Sequence, residues 1–253
     1  MMIVISPAKK IFPENNSFGL KTTKFSFAQE TNQILKVTKS MTISELKSMM
    51  KISDNLAKIN FERYKDFDTE HGRDRTVQAI FTFKGDTYVG LDAENFSKED
   101  IAFAQNNLRI LSGLYGLLRP LDGVQPYRLE MGTKIKISGK KNLYDFWSES
   151  VTEKLNKELD NGTKHLINLA SEEYFKVIDE SQIQSKIITP IFRSKKNGKL
   201  KTIGILSKRA RGMMANFIIK NQIETTQKLK DFSKDGYSFE EKISTESKLI
   251  FIK

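Results

Sequence analysis

The chain has 253 residues, with 42 Lys and Arg against 31 Asp and Glu, and therefore a formal net charge of +11 at pH 7. It contains no cysteine and two histidines, which excludes disulfides and iron–sulfur clusters and argues against a His-rich metal site, so we expect no cofactor. The first apolar run is too short for a signal peptide, and no segment approaches the ~18 apolar residues of a membrane span. We therefore expect a cytoplasmic protein without a membrane partner.

The first half of the chain alternates between strand and helix patterns. Hydrophobic spacing predicts, in order, a buried strand at 2–6, a helix at 26–39, a helical region at 42–67 with a break near 51–53, a segment of either type at 75–83 and a helix at 101–111. Ser97 and Asp100 have the spacing of a capping box ahead of that last helix. The segment 112–132 contains four glycines and two prolines and is predicted to be rich in turns.

The second half continues the alternation. It predicts a helix at 145–159 that stops at Asn161 and Gly162, a strand at 165–169, a short helix from Ser171, strands at 186–193 and 200–206, a helix at 207–222 and a strand pair at 237–240 and 249–252. Asn197 and Gly198 form a strong hairpin signal between two of these strands. Without a repeat or a linker, the pattern favours one compact mixed α/β domain over 1–253, with a mixed sheet surrounded by helices.

The charge is concentrated in one segment. Residues 181–223 carry ten cations and no acid, whereas residues 1–180 carry 26 cations and 25 acids and residues 224–253 carry six of each. The chain is rich in lysine, with 33 Lys to 9 Arg, but that bias alone would not remove every acid from 43 residues. We interpret the segment as an anion-binding surface, and the alternative is an ordinary solvated face.

The predicted helix at 207–222 strengthens the first interpretation. Lys208, Arg209 and Arg211 would stand in its first turn, where cations oppose the helix dipole at a cost of roughly 0.3–1 kcal/mol each. An anion docked at that terminus would explain them. The alternative is that these side chains reach carboxylates such as Glu130 or Glu173.

A helical pair at 46–64 resembles a helix-hairpin-helix element. That motif has the pattern Gly-apolar-Gly-x-x-x-Ala and contacts phosphate through hairpin N–H groups. Here Lys51 and Ser53 replace the two glycines, and Ala57 follows four residues after Ser53. An ordinary helical hairpin is the alternative interpretation.

Three polar blocks are candidates for chemistry. The turn-rich region carries Arg119, Tyr127, Arg128 and Glu130, which are too many polar side chains for a simple connector. Asn168, Ser171 and Glu173 follow a predicted strand, and strand ends in α/β folds often border ligand crevices. Lys84, Asp86 and Tyr88 surround a glycine turn. No P-loop, dinucleotide fingerprint or G-x-S-x-G motif is present.

These blocks resemble, in order, the bacterial YaaA family of peroxide-stress-resistance proteins. The resemblance is carried by ISPAKK, MKISDNLA, FKGDTYVGL, LSGLYGLLRPLDGVQPYRLEMG, NLASEEYFK and KRARG, and it spans almost the whole chain. It implies a single α/β domain of unusual fold, a cytoplasmic location, and DNA binding through a basic cleft with a helix-hairpin-helix element. It also implies a role in limiting DNA damage under hydrogen peroxide, linked to lower free iron in the cell.

Two hypotheses of different class follow, and neither specifies an oligomeric state. The first is a non-enzymatic protein that binds DNA largely independently of sequence; its candidate residues are Lys9, Lys51, Ser53, Lys84, Arg119, Arg128, Lys208, Arg209 and Arg211. The second is an enzyme acting on a nucleotide or damaged nucleic acid, with Glu130 or Glu173 as general acid or base. Its other candidate residues are Tyr127, Asn168 and Ser171. The alternative role for both glutamates is structural pairing with Arg128 and Arg211.

Overall fold

An eight-stranded mixed sheet organises the protein. The computed structural model describes residues 1–11, 20–69, 76–159, 165–196 and 198–253. The strands of the main sheet are β1 (Met2–Ile5), β5 (Leu108–Ser112), β6 (Gly116–Leu118), β8 (His165–Leu169), β9 (Lys186–Lys196), β10 (Lys199–Lys201), β11 (Ser238–Phe239) and β12 (Lys248–Ile252). Two small sheets pair β2 (Lys10–Ile11) with β4 (Phe83–Lys84) and β3 (Val77–Gln78) with β7 (Gly123–Val124).

The centre of the main sheet is parallel. Its order is β11-β12-β9-β8-β1-β5-β6, with β10 paired to β9. Strands β12, β9, β8, β1 and β5 run parallel, and β11, β6 and β10 are antiparallel to their neighbours. In the middle, Ile3 pairs with Leu108 on one side and Ile167 on the other. All four residues of β1 are buried, because a central parallel strand is covered on both faces.

Nine α-helices pack around the sheet within the described residues. They are α1 (Ala28–Ser40), α2 (Ile43–Met50), α3 (Asp54–Asp66), α4 (Ala79–Thr82), α5 (Asp86–Leu91), α6 (Lys98–Asn107), α7 (Leu143–Leu159), α8 (Glu172–Phe175) and α9 (Gly204–Lys220). The Ser97–Asp100 capping box is confirmed at the start of α6, and Thr42 with Glu45 forms another at α2. The sheet and helices enclose one hydrophobic core. The predicted mixed α/β fold is confirmed.

Two predicted element boundaries are wrong. The helix predicted at 101–111 ends at Asn107, and Leu108–Ser112 is instead strand β5 beside β1. An apolar run of this length fits either a buried helix or a buried strand, and pairing with β1 decides it. The strand predicted at 200–206 ends at Lys201, and helix α9 already begins at Gly204.

The helical pair predicted at 42–67 is present as α2 and α3. Lys51 joins them in the left-handed conformation, with φ of 52°, and the Ser53 side chain caps α3 by accepting from the Leu56 amide. A lysine therefore occupies the turn where the helix-hairpin-helix pattern has glycine. The two helices are confirmed, and their assignment as a helix-hairpin-helix motif stays a prediction.

Two other predictions fall partly outside the described residues. The β9–β10 hairpin is present, with Lys199 paired to Lys196, but Asn197 itself is outside them. The helix stop at Asn161 and Gly162 also lies outside, so only the end of α7 at Leu159 is described. Across the described ranges, no helix is both long and apolar enough to span a membrane.

Candidate functional site

A crevice of about 590 Å³ lies where β1 and β8 end. Both strands are parallel and adjacent, so the segments that follow them emerge at the same edge of the sheet. Residues 6–10 follow β1 and residues 171–174 follow β8, and both segments line the opening together with β4, α5 and α9. The carboxyl ends of parallel strands are the usual position of ligand sites in open α/β sheets. We call this opening the β1–β8 crevice.

Serines join the two strand ends. The Ser171 amide donates to Ser6 Oγ at 2.8 Å, and Ser6 Oγ donates to Ser171 Oγ at 3.2 Å. The Tyr88 hydroxyl donates to the Ser6 carbonyl at 3.2 Å and so attaches helix α5 to the same point. Burial raises the pKa of Tyr88 and of Tyr174, which keeps both phenols protonated at neutral pH. The hydroxyl groups of the serines and tyrosines at this point are therefore polar and uncharged.

Close packing of two glycines sets the position of α9. A Cβ added at Gly212 would overlap the Thr87 carbonyl oxygen, and one added at Gly90 would overlap the Arg209 carbonyl oxygen. Helices α5 and α9 therefore touch backbone to backbone, and the Asn216 side chain donates to the Leu91 carbonyl at 2.8 Å. This crossing holds α9 so that Lys208 and Arg211 line the crevice.

The crevice has an excess of positive charge. Five cations line it against three carboxylates, namely Lys9, Lys10, Lys84, Lys208 and Arg211 against Asp86, Glu172 and Glu173. Lys84 pairs with Glu94 at 2.6 Å, outside the crevice lining. Lys10, Lys208 and Arg211 have no ion pair with any carboxylate of the described residues. Partial burial also lowers the pKa of Arg211, so its guanidinium has lost water without gaining a counter-ion.

A small recess adjoins the crevice and contains the first predicted glutamate. Glu130 binds two cations, Lys9 at 2.7 Å and Arg128 at 2.9 Å. Tyr127 lies beside them, buried, with its hydroxyl 2.6 Å from Ser112 Oγ. The ion pair with Arg128 that the structural alternative for Glu130 requires is present.

Glu173 is placed differently. It lines the β1–β8 crevice, and its Oε1 accepts the Gly132 amide at 3.2 Å. Among the described residues it forms no ion pair with Arg211, so the pairing suggested as its structural role is absent there. The Tyr144 hydroxyl donates to the Glu173 carbonyl at 2.9 Å, which fixes the backbone of this residue.

Several predicted residues lie outside the crevice lining. Arg119 pairs with the buried Asp122, which also accepts the Thr23 hydroxyl at 2.6 Å. Asn168 is held by Thr189 and by the Ala170 amide, so its side chain connects strands. Arg209 lines a separate depression on the other side of the α5–α9 contact. Lys51 and Ser53 stand at the α2–α3 turn.

The acid-free segment does not form one continuous surface. Lys186 pairs with Glu246 at 2.6 Å and Lys220 with Asp100 at 3.5 Å. Lys199 and Lys201 are exposed on the β9–β10 hairpin. The prediction that Lys208, Arg209 and Arg211 occupy the first turn of a helix is also wrong, because α9 begins at Gly204 and places them in its second turn. Lys208 and Arg211, from this segment, reach the crevice.

The sequence reasoning missed Ser6 and Lys10. Ser6 follows β1 directly and Lys10 begins β2 five residues after the end of β1, and both line the crevice. The rule about strand ends was applied to the second strand and not to the first. Applied to ISPAKK, it would have predicted these residues.

The fold and the site together define an α/β protein with a polar, cation-rich crevice at the carboxyl edge of a parallel sheet. Within the described residues, no group of three or more His, Cys, Asp or Glu is placed to hold a metal ion. A family model described as peroxide stress protein YaaA matches residues 1–243. The chain belongs to this family.

Curated relatives carry the name UPF0246 protein and match over nearly their whole length. One from Aliivibrio fischeri is 44% identical over 252 residues, covering 99% of this chain and 97% of its own. Another, from Alteromonas mediterranea, is 44% identical over 254 residues, covering 100% and 98%. A third, from Saccharophagus degradans, is 44% identical over 252 residues, covering 99% and 98%.

Proposed function

We propose that this protein binds the phosphate backbone of DNA and thereby limits DNA damage during peroxide stress. The convergence of Lys10, Lys208 and Arg211 on one crevice, without ion-pair partners among the described residues, is the observation that carries the proposal. Unpaired cations gathered at a concave surface attract a polyanion and release its counterions on binding. Family membership supplies the connection to peroxide stress.

The contacts should be largely independent of base sequence. Lysine and arginine side chains that bind phosphate fix the position of a duplex without reading its bases. Lys9, Lys84, Arg119 and Arg128 already have carboxylate partners, so we expect each to add less than Lys208 or Arg211.

The α2–α3 turn is a second candidate contact. Lys51 is exposed there, and Ser53 lies roughly 16 Å along α3 from Tyr64 at 1.5 Å per residue. The Tyr64 hydroxyl donates to the Arg128 carbonyl at 2.6 Å, which ties that end of α3 to the recess. A duplex that contacts both places therefore spans about five base pairs or more, since DNA rises about 3.4 Å per base pair.

Salt dependence tests the proposal. Fluorescence anisotropy with a labelled 25-base-pair duplex should give an affinity that falls linearly on a log–log plot against salt, with a slope of about −0.9 per phosphate neutralised. Duplexes of different sequence should give the same slope and affinity. An affinity unchanged by salt would contradict the proposal.

We further propose that the protein lowers the concentration of free iron in the cell under peroxide stress. We expect a deletion strain under peroxide to recover on expression of the natural protein, and to recover less on expression of a variant carrying Lys208→Gln and Arg211→Gln. Free iron and DNA strand breaks would be measured in the same cultures. Full recovery of both by the variant would show that the crevice is not involved.

A second candidate function is an enzyme acting on a nucleotide or on damaged nucleic acid. The presence of Glu173 in the crevice, beside cations but ion-paired to none of the described residues, favours it. A carboxylate held near bound phosphate is a suitable general base. Because Glu130 is held in ion pairs with Lys9 and Arg128, Glu173 is the stronger candidate for the general base.

Conservative variants separate the two functions. Glu173→Gln should abolish any nucleotide turnover while leaving DNA affinity unchanged or slightly raised, because it removes a negative charge from the crevice. Glu130→Gln is the matched variant outside the crevice. If neither variant changes any turnover of nucleotides or damaged DNA, the enzymatic function is rejected.

A further inference from the structure

The shape of the β1–β8 crevice restricts what can occupy it. Its volume of about 590 Å³ lies within the ~300–1,000 Å³ typical of small-molecule sites. Duplex DNA is recognised by protein elements that enter its grooves, and specific interfaces of that kind cover roughly 1,000–2,500 Å² of protein surface. The interior of a concave pocket of this size accepts one nucleotide unit.

The cationic side of the crevice suits a single phosphate group. Lys208 and Arg211 are three residues apart on α9 and therefore share one face of the helix. A guanidinium binds two oxygens of a phosphate at once, and partial burial strengthens such a contact. Lys10 adds a cation from β2, where it pairs with Lys84 of β4 in the antiparallel register.

The rest of the lining suits a nucleoside. Tyr88, Leu169 and Tyr174 supply apolar and aromatic surface, against which a base can stack. The carboxylates of Asp86, Glu172 and Glu173 can accept hydrogen bonds from a sugar hydroxyl or an exocyclic amine. They would also repel additional phosphates, so the interior of the crevice is unsuited to a triphosphate.

We propose that the β1–β8 crevice binds one nucleoside monophosphate, with its phosphate at Lys10, Lys208 and Arg211 and its base and sugar against the tyrosines and carboxylates. This inference rests on the proposed function, since the same cations serve both. The nucleotide has two possible sources: a free nucleotide, or an unpaired nucleotide of a DNA strand turned out of its stack. Both present the same chemistry to the crevice.

Calorimetric titration of the full-length protein with dAMP, deoxyadenosine and inorganic phosphate tests this inference. We expect dAMP to bind at least about tenfold more tightly than either fragment, since it engages both sides of the crevice. Equal binding of dAMP and inorganic phosphate would overturn the nucleotide assignment. Absence of dAMP binding would overturn it completely.

A matched pair of variants on α9 locates the site. Arg211→Gln should weaken dAMP binding by about tenfold or more, because one charge-assisted phosphate contact is lost. Arg209→Gln changes the same residue type two positions earlier, outside the crevice, and should change the affinity less than about twofold. If Arg211→Gln fails to fold by circular dichroism, the exposed Lys208→Gln replaces it. Equal effects at both positions would overturn the assignment.

Two further measurements distinguish a free nucleotide from a nucleotide of a DNA strand, and this inference from the proposed function. A single-stranded oligonucleotide that displaces dAMP identifies the nucleotide as part of a DNA strand, and dAMP binding unaffected by the oligonucleotide identifies a free nucleotide. Salt-dependent duplex binding without any dAMP binding rejects this inference and leaves the proposed function standing. dAMP binding without duplex binding rejects the proposed function alone.

Discussion

The two ends of strand β8 carry depressions of similar size, one with an excess of cations and the other with balanced charge. At the carboxyl end, the β1–β8 crevice of about 590 Å³ contains Lys10, Lys208 and Arg211 without ion pairs among the described residues. At the amino end, a depression of about 490 Å³ is lined by Lys186 and Lys230 against Glu241 and Glu246. There Lys186 pairs with Glu246 at 2.6 Å.

The difference shows that a count of charges along a segment does not locate a binding surface. Lys186 and Arg211 belong to the same acid-free segment, yet Lys186 acquires a carboxylate from residues 60 positions later. Arg211 forms no ion pair with a carboxylate of the described residues. Tertiary pairing therefore decides which cations remain available to a ligand, and the following predictions test that distinction.

The largest effect should come from Gly212→Ala, which disturbs only the β1–β8 crevice at the carboxyl end of strand β8. The new methyl group would overlap the Thr87 carbonyl oxygen, and overpacking of this kind costs about 3 kcal/mol when neither backbone can yield. Urea denaturation should show this loss, together with weaker DNA binding as α9 moves. Gly204→Ala is the matched control: its Cβ has open space, and we expect a gain of about 0.5 kcal/mol. Equal stability of the two variants would refute the backbone contact.

Removing charge from the crevice should have the next largest effect. With Lys208→Gln and Arg211→Gln together, two phosphate contacts are lost, and the salt slope should become shallower by about 2. At about 0.15 M salt this corresponds to roughly thirtyfold weaker binding of the duplex. Lys186→Gln at the amino end should change affinity by less than about twofold, because that lysine is already paired. A comparable loss from Lys186→Gln would remove the distinction between the two ends.

Ser6→Ala should produce a smaller effect, which lowers the stability of the protein and leaves the charge of the crevice unchanged. The Ser171 amide would lose its acceptor at Ser6 Oγ, at a cost of about 1–2 kcal/mol for a partly buried donor. Thermal unfolding would report this change. The salt slope for DNA should stay as in the natural protein, since no cation is altered. A changed slope would contradict this expectation, since it would mean that loss of the serine moves the cations of the crevice.

The smallest effect should come from Glu246→Gln. This substitution frees Lys186 and gives the amino end an unpaired cation like those at the other end. The pairing with Lys186 holds the pKa of Glu246 below its usual range, so the carboxylate is fully charged at neutral pH and is lost on substitution. DNA affinity measured by anisotropy should rise by about twofold, because a lone exposed lysine adds one weak contact. No change in affinity would show that the ion pair with Glu246 is not what prevents Lys186 from binding DNA.

The sequence predicted the elements whose signals are local. The strand at 165–169, the Ser97 cap and the α2–α3 pair are all present. It did not predict that Leu108–Ser112 is a strand, because parallel pairing with β1 is a contact between residues about 100 positions apart. The start of α9 was misplaced for a related reason, since residues 204–206 are apolar and fit either structure.

The candidate site was predictable in composition but not in arrangement. Lys84, Glu173, Lys208 and Arg211 were all named from their local patterns, and all line the crevice. Nothing local shows that Glu130 is paired to Lys9, about 120 positions earlier in the chain. Likewise, the meeting of α5 with α9 depends on two glycines 122 positions apart, which no periodicity connects.

The main-chain contact at Gly90 and Gly212 has a consequence for redesign. With no side chain between α5 and α9 there, the gap between the walls is fixed by the polypeptide backbone instead of by rotamers. Wall charges can therefore be exchanged while the aperture keeps its width. Steric selection and electrostatic selection are thus separate, independently adjustable properties of this molecule.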